Sequence, residues 1–335
     1  MDTRVQYNPP VLLAGDVGGT KTRLGLFERA DPRPRLVAAH TYLTDTFTSF
    51  NTILDAFAAD VGAAFAVDGL AAGVAGPVVG GVARLTNIAW DVDTAQIAEH
   101  VKTRRVRLLN DLEAMALGAG VLGPDEMVEL QRGMLRSDGN AAVIAAGTGL
   151  GQAYLHRVNG RLIAMASEGG HGDFAARTDR EMALVRMLRE LYGRVEVEHV
   201  LSGPGLLNLH RLTHGGKGCA AVDGVAAIDA PARVTRLALE GACEACAEAL
   251  SMFVEAYGAE AGNLALRGMA TSGVFVGGGI APKILPALQD GRFIEAFRAK
   301  GAFAELASSI PVNVILAPDA GLVGAAVAAQ ELIDE

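Results

Sequence analysis

Two short turns rich in glycine and threonine, each placed directly after an apolar run, most constrain how this chain can fold. The first turn is DVGGT at residues 16–20, and the second is GTGLG at residues 147–151. A second strand pattern follows each turn, so both segments predict a strand, a tight turn and a returning strand. The recurrence suggests two related domains. Chance is the alternative explanation, because strand–turn–strand units are common.

Along the rest of the 335-residue chain, apolar runs of strand length alternate with segments of helical spacing. This alternation predicts an α/β protein. We expect a small N-terminal domain at residues 1–110, completed by a C-terminal helix at about residues 321–335, and a large domain at residues 111–320. A long helical stretch is predicted to cover much of Ala232–Tyr257, and a strand is predicted at Val82–Thr86.

The charge and hydropathy of the chain exclude two classes of partner. The formal net charge is -9 and the pI is near 5.3. A broad basic face that would hold nucleic acid is therefore not expected. No run of residues is long enough and apolar enough to cross a membrane. We therefore expect small-molecule partners, with no nucleic acid and no membrane among them.

The cysteine content is typical of a reducing compartment, and we predict a cytoplasmic protein. The only cysteines are Cys219, Cys243 and Cys246. A zinc site that also used His210 and His214 would match no common zinc motif. We interpret the cysteines as buried or helix-surface thiols.

The first turn has the chemistry of a phosphate loop. Gly18 and Gly19 allow backbone N–H groups to approach phosphate oxygens, and Thr20 can add a hydroxyl donor. Asp16, at the end of the preceding strand, could hold Mg²⁺ directly or through water. The spacing is neither that of a Walker loop nor that of a dinucleotide-binding turn. A plain β-hairpin is the alternative interpretation.

Two later turns complete a possible nucleotide site. Gly147, Thr148 and Gly149 repeat the layout of the first turn, so the pair could hold a triphosphate from two sides. Gly277–Gly279 follows an apolar strand and precedes a helix. Such a turn can let a nucleoside ring lie against the backbone, although an ordinary helix start would look the same.

Two polar segments are candidates for binding and activating a hydroxylated substrate. Asn110 and Asp111 follow a buried strand, and an aspartate there could accept a proton from a substrate hydroxyl. A helix N-cap is the alternative role. Glu168 and His171 lie in a glycine-rich loop and could bind sugar hydroxyls. Glu198 is a weaker candidate, because an exposed glutamate before a helix is common.

Taken together, these segments resemble the bacterial glucokinase family, within the hexokinase-like branch of the actin-type ATPase superfamily. The matching segments, in family order, are LAGDVGGT, LLNDLEA, AAGTGLG, SEGGHGDF, HVLSGPG and GVFVGGGI. The resemblance implies a two-domain actin-like or ribonuclease H-like fold with an active-site cleft between the domains. It also implies Mg²⁺- and ATP-dependent transfer of phosphate to the 6-hydroxyl of glucose by a homodimer.

The resemblance implies a role for each candidate residue. It makes Asp111 the general base and Asp16 the metal-binding residue. The positions expected to bind sugar are Asn110, Asp111, Glu168, His171 and Glu198. Those expected on the two phosphate loops are Asp16, Gly18, Gly19, Thr20, Gly147, Thr148 and Gly149. Those expected beside the adenosine are Gly277, Gly278 and Gly279.

One departure and three alternatives stay open. Lys21 stands where close relatives often carry asparagine, and it could add positive charge near the phosphates. A kinase for mannose, fructose or an N-acetylhexosamine would use the same residues. An actin-like ATPase or sugar sensor would bind nucleotide without sugar chemistry. A nicotinamide-dependent dehydrogenase is suggested only by the glycine-rich turns, and the hairpin context argues against it.

Overall fold

The chain divides into two compact units in a computed structural model that describes residues 11–62, 67–85, 88–219 and 222–334. Unit 1 comprises Met1–Gly123, Leu162–Ala166 and Ala317–Glu335. Unit 2 comprises Pro124–Arg161 and Ser167–Leu316. Both units contain sheets and helices, which confirms the predicted α/β class.

The strands fall into two groups along the chain. The strands before residue 111 are β1 Val11–Val17, β2 Lys21–Glu28, β3 Arg35–Leu43, β4 Gly69–Val74, β5 Val78–Val79, β6 Val82–Arg84, β7 Asp91–Asp93 and β8 Val106–Asn110. The later strands are β9 Met127–Gln131, β10 Ala141–Ala146, β11 Leu150–Val158, β12 Arg161–Ser167, β13 Gly273–Gly277 and β14 Val312–Ile315. Thr86, the last residue of the strand predicted at Val82–Thr86, lies outside the described residues.

Helices follow or separate these strands. The helices are α1 Phe50–Asp60, α2 Thr94–Val101, α3 Asp111–Ala119, α4 Asp179–Tyr192, α5 Gly203–Thr213, α6 Ala230–Leu239, α7 Glu244–Gly268, α8 Leu285–Leu288, α9 Arg292–Arg298, α10 Ala304–Ser309 and α11 Ala320–Asp334. Among the residues that the structure describes, no helix is both long enough and apolar enough to cross a membrane. Glu335, the last residue of the predicted C-terminal helix, lies outside the described part.

The main sheet of unit 1 has the strand order β3-β2-β1-β4-β8. Strands β1, β4 and β8 are parallel, and β2 and β3 form antiparallel hairpins on one side. Their apolar side chains form a core that includes Leu13, Leu70 and Phe57. Because β1 and β8 run in the same direction, Asp16 and Asn110 emerge at the same edge of the sheet.

Helix α11 packs on α3 at very short range, which joins the end of the chain to unit 1. Gly118 and Gly324 make this approach possible. A Cβ atom at Gly324 would lie 1.7 Å from the Ala114 carbonyl oxygen, and one at Gly118 would lie 1.9 Å from that of Ala320. This packing carries unit 1 through Gly123, beyond the predicted boundary at residue 110.

The main sheet of unit 2 repeats the layout of the first. Its strands within the unit have the order β11-β10-β13-β14-β9. Strand β10 forms an antiparallel hairpin with β11 and a parallel pair with β13, as β1 does with β2 and β4. Helix α7 contributes Phe253 and Tyr257 to the core below this sheet. The two turns identified in the sequence are therefore the equivalent hairpin turns of two similar sheets.

The helical stretch predicted over much of Ala232–Tyr257 is present, and it is divided into α6 and α7. Gly241 has a φ of +66°, a left-handed conformation that ends a helix and that glycine adopts without strain. The next N–H group, that of Ala242, donates to the Leu237 carbonyl and closes α6. Apolar spacing continues through this break, so periodicity alone did not show it.

Candidate active site

The first phosphate loop of unit 1 is a tight β1–β2 turn held by a buried threonine. The Gly18 N–H donates to the Lys21 carbonyl at 2.9 Å. The Thr44 hydroxyl donates to the Gly18 carbonyl at 2.8 Å, and its N–H donates to the Thr20 carbonyl at 3.0 Å. Thr44 directly follows β3 and was not among the residues predicted from the sequence. These bonds fix the turn, and the exposed Lys21 side chain begins β2 beside it.

Asp16 lies at the end of β1 in a partly buried, acidic setting. Burial raises the pKa of its carboxyl group, the nearby Asp319 carboxylate raises it further, and Arg23 lowers it. Arg23 binds Asp319 through two contacts of 2.8 Å. A Cβ atom at Gly321 would lie 3.6 Å from an Asp16 carboxyl oxygen. A cation beside Asp16 would stabilise the charged carboxylate and so oppose this rise in pKa.

Asn110 caps α3 and thereby places Asp111 at the first position of the helix. The Asn110 side-chain oxygen accepts from the Leu112 N–H at 2.9 Å, and its amide donates to the Gly76 carbonyl at 3.2 Å. The Asn110 N–H donates to the Glu113 carboxylate at 2.9 Å, which completes a capping box. The N-cap interpretation of Asn110 is therefore confirmed, and its role in sugar binding stays a prediction.

The strand register relates Asp16 to the end of β8. Asp16 is paired with Gly73 of β4, and Gly73 is paired with Leu109 of β8. Two strand spacings separate β1 from β8, which is about 10 Å. Asp16 and Asn110 thus lie on one sheet edge.

The second phosphate loop, in unit 2, is a hairpin turn of the same kind. The Gly147 N–H donates to the Gly149 carbonyl at 2.8 Å, and the Gly147 carbonyl accepts from the Gly203 N–H at 2.8 Å. The second bond ties the loop to the start of α5. Beneath it, the fully buried Tyr257 hydroxyl accepts from the Ala146 N–H at 3.2 Å. Tyr257 is a positioning residue that sequence analysis missed.

Glu198 contacts the second phosphate loop directly. Its carboxylate accepts from the Leu150 N–H at 2.8 Å. It also fills the space above Gly149, where a Cβ atom would lie 2.5 Å from a Glu198 carboxyl oxygen. From its sequence context, Glu198 was only a weak candidate for a sugar ligand. The structure adds a definite contact with the loop expected to hold phosphate.

Glu168 and His171 flank a short turn, and a second glutamate completes the group. His171 Nδ1 lies 2.8 Å from a Glu196 carboxyl oxygen, and its Nε2 lies 4.0 Å from Glu168. The hydrogen bond with Glu196 raises the pKa of His171 and lowers the pKa of Glu196. Glu196 was missed by sequence analysis. The alternation of acidic and apolar residues in VEVEHV was the available signal.

A cavity of about 790 Å³ opens beside the second phosphate loop within unit 2. Its floor includes Gly147, Thr148 and Gly279, and its wall includes the exposed Ile228. The α6 residues that line it were not predicted from the sequence; they are Pro231, Ala232, Thr235, Arg236 and Leu239. The size falls in the range of nucleotide and cofactor pockets.

The three glycines of the predicted third turn have different surroundings. Gly279 lines the cavity, as expected for a turn beside a nucleoside. Gly278 has a φ of +82°, and a Cβ atom there would lie 2.4 Å from the Ala146 carbonyl oxygen. Gly278 is therefore required by the close approach of the β13 turn to β10. Gly277 is buried at the end of β13 and accepts from the Tyr257 hydroxyl at 3.3 Å.

The contact between His171 and Glu196 leads to a testable pH effect. Replacing Glu196 with glutamine should lower the pKa of His171 towards its ordinary value, because the charged hydrogen bond is its largest upward cause. In the native protein this contact stabilises the fold at pH values below the ordinary histidine pKa. This stabilisation is lost as the pH rises through the raised pKa of His171. NMR titration of the His171 ring measures the shift. The His40 ring, in the other unit, serves as the control for the titration. A His171 pKa that is the same in the variant and in the native protein would contradict the assignment.

Unit 1 carries the first hairpin turn and the acidic sheet edge, and unit 2 carries the second hairpin turn, the cavity and the carboxylate–imidazole group. Such features are typical of phosphotransferases with the two-domain, actin-like fold.

Comparison with known proteins identifies the family within this class. A family model described as Glucokinase matches residues 13–332. A glucokinase of Nostoc sp. strain PCC 7120 is 34% identical, with 96% of this chain and 99% of that protein covered. A glucokinase from an Antarctic psychrotroph, known from its crystal structure, is 30% identical in sequence and has a TM-score of 0.86. The alignment covers 96% of this chain and 99% of that chain. The chain therefore belongs to the glucokinase family.

A more distant structure shares the fold. A ROK family glucokinase from Streptomyces griseus, in complex with glucose and AMPPNP, has a TM-score of 0.62 at 20% identity. The alignment covers 96% of this chain and 99% of that chain. The predicted family resemblance is confirmed by these findings.

Proposed function

We propose that this chain transfers the γ-phosphate of ATP to the 6-hydroxyl of glucose and releases glucose 6-phosphate. The observation that carries the proposal is the cavity of about 790 Å³ that ends on the Gly147–Thr148 phosphate loop. Members of the family are ATP-dependent hexose kinases. The complex of the Streptomyces griseus protein with glucose and AMPPNP supports the same pair of substrates here.

The cavity suits a nucleoside whose phosphates extend to the second loop. Ile228, Leu239 and Ile280 give it an apolar wall, and such a wall suits a purine ring. Arg236 and Lys283 add positive charge for the anionic end of the ligand. The Gly147 and Thr148 end lies where backbone N–H groups and a hydroxyl can meet phosphate oxygens.

Mg²⁺ fits the acidic edge of unit 1. Carboxylate oxygens are the ligands that Mg²⁺ prefers, and it commonly keeps several waters and contacts substrate phosphates. Burial and the Asp319 carboxylate raise the pKa of Asp16 despite Arg23, and a bound cation would offset both effects. Asp16 would hold the ion directly or through water, with Asp319 as the neighbouring charge. When bound, the ion would neutralise charge on the transferring phosphoryl group.

Glu168, His171 and Asn110 would each supply hydrogen bonds to glucose. Glu168 is exposed and can accept hydrogen bonds from two neighbouring hydroxyls. The contact with Glu196 orients the His171 ring and supports its protonated form, in which Nε2 donates. The Asn110 amide has a second N–H besides the one given to Gly76. Hydrogen-bonding groups of these kinds suit a neutral, polyhydroxylated substrate.

Asp111 would act as the general base. Its carboxylate would accept the proton of the 6-hydroxyl as the oxygen bonds to the γ-phosphorus and the bond to the ADP oxygen breaks. Backbone N–H groups of the second phosphate loop would stabilise negative charge on the transferring group. The position of Asp111 at the first turn of α3 is held by the Asn110 capping box.

Glu198 would link sugar binding to the phosphate loop. Its carboxylate has two oxygens, and one already accepts from the Leu150 N–H. The other can accept from a sugar hydroxyl. A sugar bound at Glu198 would then hold the carboxylate against Gly149 and keep the second loop in shape for phosphate.

The proposal is tested by product formation from purified protein, Mg²⁺-ATP and single hexoses. Glucose, mannose, fructose and N-acetylglucosamine should be compared, because the same side chains could serve any of them. The proposal expects the largest kcat/KM with glucose. A larger value with another hexose would keep the reaction and change the substrate. Absence of sugar phosphate from every hexose would overturn the proposed function.

Two further expectations accompany this function. A homodimer is implied by the family resemblance, and sedimentation of the purified chain would measure the assembly. A cytoplasmic location remains a prediction from the low cysteine content.

A further inference from the structure

Four potential metal ligands meet in unit 2, in a cluster that the proposed kinase reaction does not use. They are His210 and His214 at the end of α5, Cys219 in the following loop and Cys246 in the first turn of α7. One ligand atom from each lies within 4.8 Å of all the others. The four residues thus converge from three separate segments of the chain.

The spacing of these atoms is close to that of a tetrahedral zinc site. Zinc binds histidine nitrogen at about 2.0–2.1 Å and thiolate sulfur at about 2.3 Å, so ligand atoms in a tetrahedron lie about 3.3–3.8 Å apart. The observed limit of 4.8 Å exceeds this by about 1 Å, a difference that side-chain rotation can close. Two nitrogens and two sulfurs are a common donor set for structural zinc.

An unsatisfied ring nitrogen of His210 is independent evidence for a metal ion in this cluster. Its side chain is 8% exposed, and its Nε2 atom is buried with no hydrogen-bond partner among the described residues. An unsatisfied buried polar atom costs free energy, and a metal ion would satisfy this nitrogen. The nearby Cys246 side chain is fully buried.

His214 has the arrangement that a metal-binding histidine usually shows. Its Nδ1 lies 2.9 Å from the His210 carbonyl oxygen, so that ring nitrogen can donate to the backbone. This contact orients Nε2 towards the cysteines, where it lies 3.5 Å from Cys243 Sγ. Histidine ligands are commonly held in this way by a backbone carbonyl. The His210 and His214 rings also stack, with centroids 3.9 Å apart.

We propose that His210, His214, Cys219 and Cys246 bind one Zn²⁺ ion in a closed structural site. Binding would release the two thiol protons to solvent and leave two thiolate and two imidazole ligands around the ion. Cys243 would remain beside the site as an unligated thiol. The ion would fix the C-terminal end of α5 to the start of α7. The N-terminal end of α5 carries Gly203, which binds the Gly147 carbonyl of the phosphate loop.

The test is zinc content and affinity in the full chain, purified under reducing conditions and reconstituted with Zn²⁺ alone. Elemental analysis should give one zinc per chain. Replacement of zinc by Co²⁺ should give the strong visible absorption of a tetrahedral site and a thiolate-to-cobalt charge-transfer band. Chelation should lower the Tm of the protein.

Matched variants assign the ligands. Cys219→Ser and His214→Gln each remove a proposed ligand at a partly buried position, and each should weaken zinc binding more than the roughly 100-fold that loss of a supporting contact can cost. Cys243→Ser and His40→Gln should retain zinc. Less than one zinc per two chains after reconstitution would overturn the proposal. Zinc that is retained by the Cys219→Ser variant but lost from the Cys243→Ser variant would overturn the proposed ligand set. A disulfide among these cysteines that persists under reducing conditions would overturn the metal site itself.

Discussion

Replacing Asp111 with asparagine should lower kcat by about 10²–10⁴-fold while the Kd for glucose stays within a few-fold of the native value. General acid–base catalysis typically contributes an effect of this size. Asparagine keeps the shape and hydrogen-bonding ability of the side chain but cannot take up the hydroxyl proton at neutral pH. The Asn110 capping box should keep α3 in place. Steady-state kinetics gives kcat, and calorimetric titration gives the Kd for glucose.

The control for this variant is Asp138→Asn, because Asp138 is an exposed aspartate in a turn of unit 2. Its kcat should equal that of the native protein. Near-normal turnover by Asp111→Asn would remove Asp111 from the role of general base. A loss of glucose binding equal to the loss of kcat would instead make Asp111 a binding residue.

Replacing Gly147 with valine should raise the KM for ATP by about 10- to 100-fold with little change in Tm. A Cβ atom at Gly147 meets nothing within 4 Å, and the residue lines the cavity. The added side chain would therefore occupy ligand space without a clash in the protein. Overfilling a packed site costs about 1–3 kcal/mol, which corresponds to roughly 5- to 150-fold in affinity. The KM for glucose should change much less.

The Gly278→Ala variant distinguishes a loss of ATP binding from the effect of backbone strain. Its left-handed φ of +82° and the 2.4 Å approach to the Ala146 carbonyl make any side chain unfavourable. This variant should lose thermal stability, whereas Gly147→Val should not. An ATP KM that stays within twofold of the native value in Gly147→Val would contradict the placement of the triphosphate on the second loop.

Local patterns predicted the parts of the site that lie within one segment of sequence. Both phosphate turns were visible because glycine and threonine interrupt strong strand patterns, and the structure forms a hairpin at each. Asn110 was recognisable as a possible helix N-cap, since the strand ends and the helix begins at that residue. These features depend on turn chemistry and strand alternation, which operate between neighbouring residues.

The missed residues act through contacts between distant segments. Tyr257 supports Ala146 from 111 positions away in the sequence. Thr44 reaches back to Gly18 across 26 positions. The α6 wall of the cavity carries no phosphate-binding signature of its own. In the sequence, Tyr257 is an ordinary aromatic residue, Thr44 is an ordinary threonine and α6 is an ordinary helix. Only the folded structure brings them to the site.

Coupling of ADP release to sugar phosphorylation is the decisive property of a glucose kinase. Purified protein should be incubated with Mg²⁺-ATP in the presence and absence of glucose, while ADP and glucose 6-phosphate are measured together. The kinase function predicts one glucose 6-phosphate for each ADP, and very little ADP without sugar. ADP released at the same rate with and without glucose, with no sugar phosphate formed, would contradict it and would favour an ATPase that lacks sugar chemistry.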